Sequence, residues 1–146
     1  IDAYIPNSYI QNEYQKLDIY KRIAAIETEE ERDDMLEELI DRFGEPPKKV
    51  QQLLRIAQLK AMAHKGYIVS IEQKGERYIF TMYEKAKVNV AAIPALLQKY
   101  KGDLTFKAEE NPYFVYEKRK KGKKEKDEQI IENVSAVIED IISLAQ

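Results

Sequence analysis

The chain has 146 residues, 44% apolar and 34% charged, with a net charge of −2. That is a globular composition, long enough for one domain burying roughly 70% of its unfolded surface, and the charge balance argues against wholesale binding to nucleic acid or anionic lipid. Cysteine is absent, which excludes disulfides and thiolate chemistry and fits a reducing, cytoplasmic setting.

The N-terminal IDAYIPNSYIQNEY has no basic–apolar–small signal layout and no initiator methionine, so the sequence reads as a fragment of a longer chain. No apolar run reaches the 18 or so residues that span a bilayer. Residues 1–11 read as extended, because Pro6 biases Ile5 away from helix. A first helix is expected over 12–26, with Leu17, Tyr20, Ile23 and Ala24 as its apolar stripe and Ile19 and Ile26 widening it.

Thr28 and Glu31 form a capping box that opens a second helix, ending at Phe43 with Gly44 as its stop. Its C-terminal stretch is LEELIDRFGEPP (36–47). Leu36, Leu39, Ile40 and Phe43 recur at helical spacing, which leaves Glu38, Asp41 and Arg42 on the opposite face. Asp41 falls in the last turn, where the backbone carbonyls already make the field negative. Pro46 and Pro47 restart the chain into a third helix over 48–65. Val50, Leu53, Leu54, Ala57 and Ala61 make one apolar face; Ile56, Leu59 and Ala63 make a second.

After Gly66 the period changes to two. Val69 and Ile71 alternate with Ile68, Ser70 and Glu72; Lys74-Gly75 reads as a turn, and Tyr78, Phe80 and Met82 continue as the second arm of a hairpin. A helix over about 90–100 follows, then strands at Leu104–Ala108 and Tyr113–Glu117. The segment KRKKGKKEK (118–126) is a basic loop, and a last helix over 127–145 carries Ile130, Val134, Val137, Ile141 and Leu144. The order is ααα–ββα–ββα. The expected fold is α+β: three N-terminal helices, then two ββα units forming a small, mainly antiparallel sheet packed against helices. Residues 1–146 read as a single domain, with a helical half (1–66) and a sheet-and-helix half (67–146).

Little here resembles a catalytic site. There is no phosphate loop and no dinucleotide fingerprint. His64 has no second ligand nearby in sequence, and the many acids include no evident enclosed pair. No catalytic residue, metal site or cofactor is expected in the chain. Charge is segregated, however. Residues 29–42 hold eight acids and two arginines, whereas 48–65 hold five Lys/Arg and no acid. The acidic helix is a candidate partner surface. Lys118, Arg119, Lys120, Lys121, Lys123 and Lys124 of the basic loop are candidate phosphate contacts, the alternative reading being a nucleic-acid-binding module.

The stretches DAYIPNSYIQNE…LDIYKRIA (2–24) and EELIDRFGEPPKKVQQLL (37–54) resemble the C-terminal domain of the bacterial transcription-repair coupling factors, the Mfd family. From residue 67 onward the resemblance is one of layout without motifs, and the basic loop is not a family feature. The resemblance implies a parent that is an ATP-driven DNA translocase, using ATP and magnesium, which pushes stalled RNA polymerase and recruits the damage sensor UvrA. It implies that the motor, the polymerase-binding module and the UvrA-binding module all lie elsewhere. This domain would be the regulatory, non-catalytic end, docking on the N-terminal UvrA-binding module and restraining the motor until polymerase is engaged. The family's E-x-x-D-R docking contacts fall on Glu38, Asp41 and Arg42.

Overall fold

Side-chain caps and apolar spacing set the helical part as the sequence suggests, with some changes of face. A computed structural model describes residues 3–120, 122 and 124–144. It divides into two compact units, 1–62 and 63–146.

In the first unit, α1 is Glu13–Ala24, α2 is Glu29–Phe43 and α3 is Lys48–Lys65, whose last residues belong to the second unit. Asn12 caps α1, its side chain accepting from the Gln15 N–H at 3.0 Å. Thr28 caps α2 by accepting from the Glu31 N–H at 3.0 Å. Glu31 reaches back, as a capping box requires, but to the Glu27 N–H rather than that of Thr28. Gly44 ends α2 at φ 87°, a conformation that costs other residues a clash with their own Cβ.

The core of this unit joins Ile5, Ile10, Ile19, Ile23, Ile26, Met35, Leu39, Val50 and Leu54. Two of the expected stripes are therefore displaced. In α1, Ile19 and Ile23 face inward at i, i+4, while Leu17 is 57% exposed and Ala24 is exposed. In α2, Met35 and Leu39 are the buried pair, Leu36 and Phe43 lie at the core's edge, and Ile40 is 38% exposed. Each helix carries more apolar positions than one face holds, and packing selects among them.

The N-terminal segment is not extended throughout, as expected, but turns at Asn7–Tyr9, where the Pro6 carbonyl accepts from the Tyr9 N–H at 3.0 Å and the Ile10 N–H at 3.2 Å, and tyrosines tie it down. The Ile5 N–H donates to the Tyr20 hydroxyl at 2.8 Å. The Tyr9 hydroxyl bonds to the Gly44 carbonyl at 2.7 Å and the Leu39 carbonyl at 3.2 Å, pinning this segment against the C-terminal end of α2.

In the second unit, β1 (Ile68–Lys74), β2 (Arg77–Met82), β3 (Leu104–Lys107) and β4 (Tyr113–Tyr116) form one antiparallel sheet in the order β1-β2-β4-β3. The short α4 (Ile93–Lys99) follows a single 3₁₀ turn at Val90–Ala92, and α5 is Asp127–Ile142. The hairpin loop is Gly75-Glu76, one residue later than the expected Lys74-Gly75, since Lys74 pairs with Arg77. Gly75 takes φ 63° while Glu76 does not turn positive, the pattern of a type II′ turn.

The face of β1 also differs from expectation. The register shifts between Ile68 and Ser70, so Ile68 pairs with Met82 and Ile71 with Phe80. This bulge brings two residues three apart onto the inner face and leaves Val69 49% exposed. Ile71, Phe80, Phe114 and Phe106 then line up across the four strands, with the Phe106 and Phe114 rings 4.8 Å apart. Helix α5 buries Ile131, Val134, Val137, Ile138 and Ile141. That is a wider face than a two-position coiled-coil seam. Asp140 on α5 accepts from the Tyr100 hydroxyl and, at 3.0 Å, from the Lys99 ammonium. Burial, then that hydrogen bond, pushes the Tyr100 phenol well above its ordinary range.

Candidate partner-docking site

The last turns of α1 and α2 each carry an arginine, Arg22 and Arg42, where the helix field favours a cation. Glu38 lies one turn before the end of α2, on the side of Met35 and Leu39 rather than opposite them. It meets both arginines. The two terminal nitrogens of Arg22 take its two carboxylate oxygens, and Arg42 Nη1 donates to Oε2 at 2.9 Å. Asp18 stands 4.0 Å from Arg22 on α1. The side chains are 42% (Arg22), 33% (Glu38) and 38% (Arg42) exposed, so the cluster is half in water.

These bonds set the charge states. The hydrogen bond from Arg22, then that from Arg42, pull the Glu38 carboxyl down to about 2, against the opposing effect of burial. The same hydrogen bond raises Arg22. The Arg42 guanidinium also lies 4.9 Å over the Phe43 ring.

Beside the cluster is a shallow cleft of about 320 Å³ lined by Arg22, Ala25, Ile26, Glu31, Asp34, Met35 and Glu38. Asp41 is exposed and has no side-chain ion pair among the described residues. Glu38 and Arg42 thus form the i, i+4 pair that their spacing allows. Arg22 is the participant that periodicity did not single out. It sits inside the quoted LDIYKRIA stretch, but a contact between residues 16 apart leaves no local signal.

The basic loop is tied at its base. The Arg119 N–H donates to Asp103 Oδ1 at 2.9 Å and its Nε to the Gly102 carbonyl at 3.3 Å, while Lys118 lies 3.1 Å from Glu125. Lys120 and Lys124 are exposed. Lys121 and Lys123 lie outside the described residues. His64 is exposed in the last turn of α3. Among the described residues no three His, Cys, Asp or Glu side chains are grouped so as to hold a metal, and no helix is long and apolar enough to cross a membrane.

Comparison with known proteins decides the family. The sequence model of the TRCF domain matches residues 1–93. The chain belongs to the TRCF domain family. It is 39% identical over 90 residues to the transcription-repair-coupling factor of Bacillus subtilis (strain 168), covering 62% of this chain and 8% of that protein. It is 41% identical over 86 residues to that of Staphylococcus haemolyticus (strain JCSC1435), covering 59% of this chain and 7% of that protein. The TRCF chain thus spans under a tenth of the length of the curated relatives it matches. A crystal structure of the C-terminal domain of transcription-repair coupling factor aligns with it at a TM-score of 0.72 and 26% identity, over 99% of this chain and 89% of that one. The chain therefore corresponds to that C-terminal domain, and its α+β fold is that domain's fold. The family match runs past the helical unit through the β1–β2 hairpin; the basic loop lies beyond it.

Proposed function

We propose that residues 1–146 act as one non-catalytic, autoinhibitory interaction domain of a transcription-repair coupling factor. Glu38, Asp41 and Arg42 dock on the N-terminal UvrA-binding module of the same protein. Docking masks that module and restrains the ATPase motor until stalled RNA polymerase is engaged. The parent's ATP, magnesium and DNA are handled by its other domains, in the bacterial cytoplasm.

The observation that carries this reading is the half-exposed charged cluster at the end of α2. A clamp that must open needs both surfaces to be soluble when apart. Polar and charged groups satisfy that, whereas a large apolar patch would not. Glu38 and Arg42 are neutralised locally in the free domain, so undocking strands no bare buried charge. Asp41 remains available to a cation across the interface. Coupling of the size usual in regulation, about 1–3 kcal/mol, needs only a few such contacts.

The test is charge reversal in the full-length parent. Asp41→Lys with Arg42→Glu should raise basal ATPase and UvrA binding severalfold. Unchanged values in a folded protein would refute the docking role. The nucleic-acid reading draws less support, because Lys118 and Arg119 are engaged with the domain's own acids and carbonyls. Tight binding to short duplex DNA with a steep salt slope would favour it instead.

A further inference from the structure

The geometry points to a fourth member of the docking site: we infer that Arg22, on α1, is a positioning residue that presents Glu38 to the docking partner. This inference rests on the docking role proposed above and adds a residue outside the E-x-x-D-R stretch.

A glutamate on an open helix face has three rotatable side-chain bonds and samples many rotamers. Ordering it on docking costs side-chain conformational entropy. Arg42 alone restrains it weakly, through one hydrogen bond along the same helix. Arg22 comes from a different helix and takes both oxygens at once. Two parallel bonds from a planar fork fix the plane of the carboxylate as well as its position. Arg22 is itself seated, since α1 holds its backbone through the turn that buries Ile19 and Ile23.

The acceptor count shows what is left for a partner. A carboxylate offers about four lone-pair sites. Arg22 occupies one on each oxygen and Arg42 a second on Oε2. One site remains, on Oε1. Glu38 can therefore accept one further N–H or O–H without giving up its present bonds. The partner group that fits is a single hydrogen-bond donor, and a second bidentate guanidinium would have to displace Arg22. Arg22 thereby sets both the direction in which Glu38 is offered and the number of donors it can take.

The test is a double-mutant cycle in the full-length parent, read by basal ATPase and UvrA binding, with thermal melting as a check on folding. Arg22→Ala should release the motor about 3- to 10-fold in the wild-type background and less than 2-fold when Glu38 is already Gln. A purely structural role would move both backgrounds alike, and that result overturns the inference. Arg22→Lys keeps the charge and the aliphatic stem but cannot make two parallel bonds. It should restore the melting temperature and recover only part of the restraint; full recovery would show that charge alone suffices and sink the positioning role. If Asp41→Lys with Arg42→Glu leaves both readouts unchanged, the docking role itself falls, and this inference with it. If those reversals act while Arg22→Ala does not, only the inference falls.

Discussion

Replacing Glu38 by Gln removes the charge that joins Arg22 to Arg42 while keeping the side chain's size. The Glu38 carboxyl is held at about 2 in the folded chain. Against an ordinary value near 4.5, that difference would amount to about 3 kcal/mol for a group sealed from water. Its side chain is 33% exposed, so screening removes most of this, leaving about 1 kcal/mol. For a chain of this size that is a fall of about 4 °C in Tm. The pH dependence has a definite sign. The folded value lies below the unfolded one, so the stabilisation is fully present above about pH 4.5 and is lost as pH falls towards about 2. Urea unfolding of wild type and Glu38→Gln at pH 7 and pH 3 measures it. The difference in midpoint should shrink to less than half at pH 3. A difference that is constant between the two pH values, or absent at pH 7, would refute the electrostatic account of the cluster.

Four further substitutions test the fold. Leu39→Ala, at a fully buried core position, should destabilise by about 3 kcal/mol in urea melts, whereas Leu17→Ala, on the exposed side of α1, should change stability by less than about 0.5 kcal/mol. Gly66→Ala places a methyl 2.3 Å from the Ile142 side chain and should cost about 1–3 kcal/mol by thermal melting; an unchanged Tm would refute the close approach. Tyr9→Phe removes the hydroxyl that holds the Gly44 and Leu39 carbonyls, and should cost about 1 kcal/mol with faster amide exchange in the last turn of α2.

The element order was legible because its signals are local. Thr28 with Glu31, Gly44 and the Pro46-Pro47 break each act within a few residues, and the switch from period 3.6 to period 2 after Gly66 marks the passage from helix to sheet. The assignment of faces was less legible. Leu17 and Ile19 are equally apolar, and only tertiary packing chooses Ile19. One extra residue at the β1 bulge reverses the alternation that Val69 and Ile71 suggest, and a bulge without glycine or proline leaves no mark in the sequence. The candidate site divides the same way. The Glu38–Arg42 pair follows from i, i+4 spacing and Asp41 from its unfavourable place near a helix end. Arg22 joins them only through the packing of α1 on α2, a long-range contact that no periodicity encodes.

The docking role is tested most directly by a pull-down of this chain against the N-terminal UvrA-binding module of its own parent protein. The account predicts capture by the wild-type chain and loss of capture on charge reversal at Glu38, Asp41 and Arg42, with the variant chain still melting cooperatively. Equal capture by both chains, or no capture by the wild type, would contradict it.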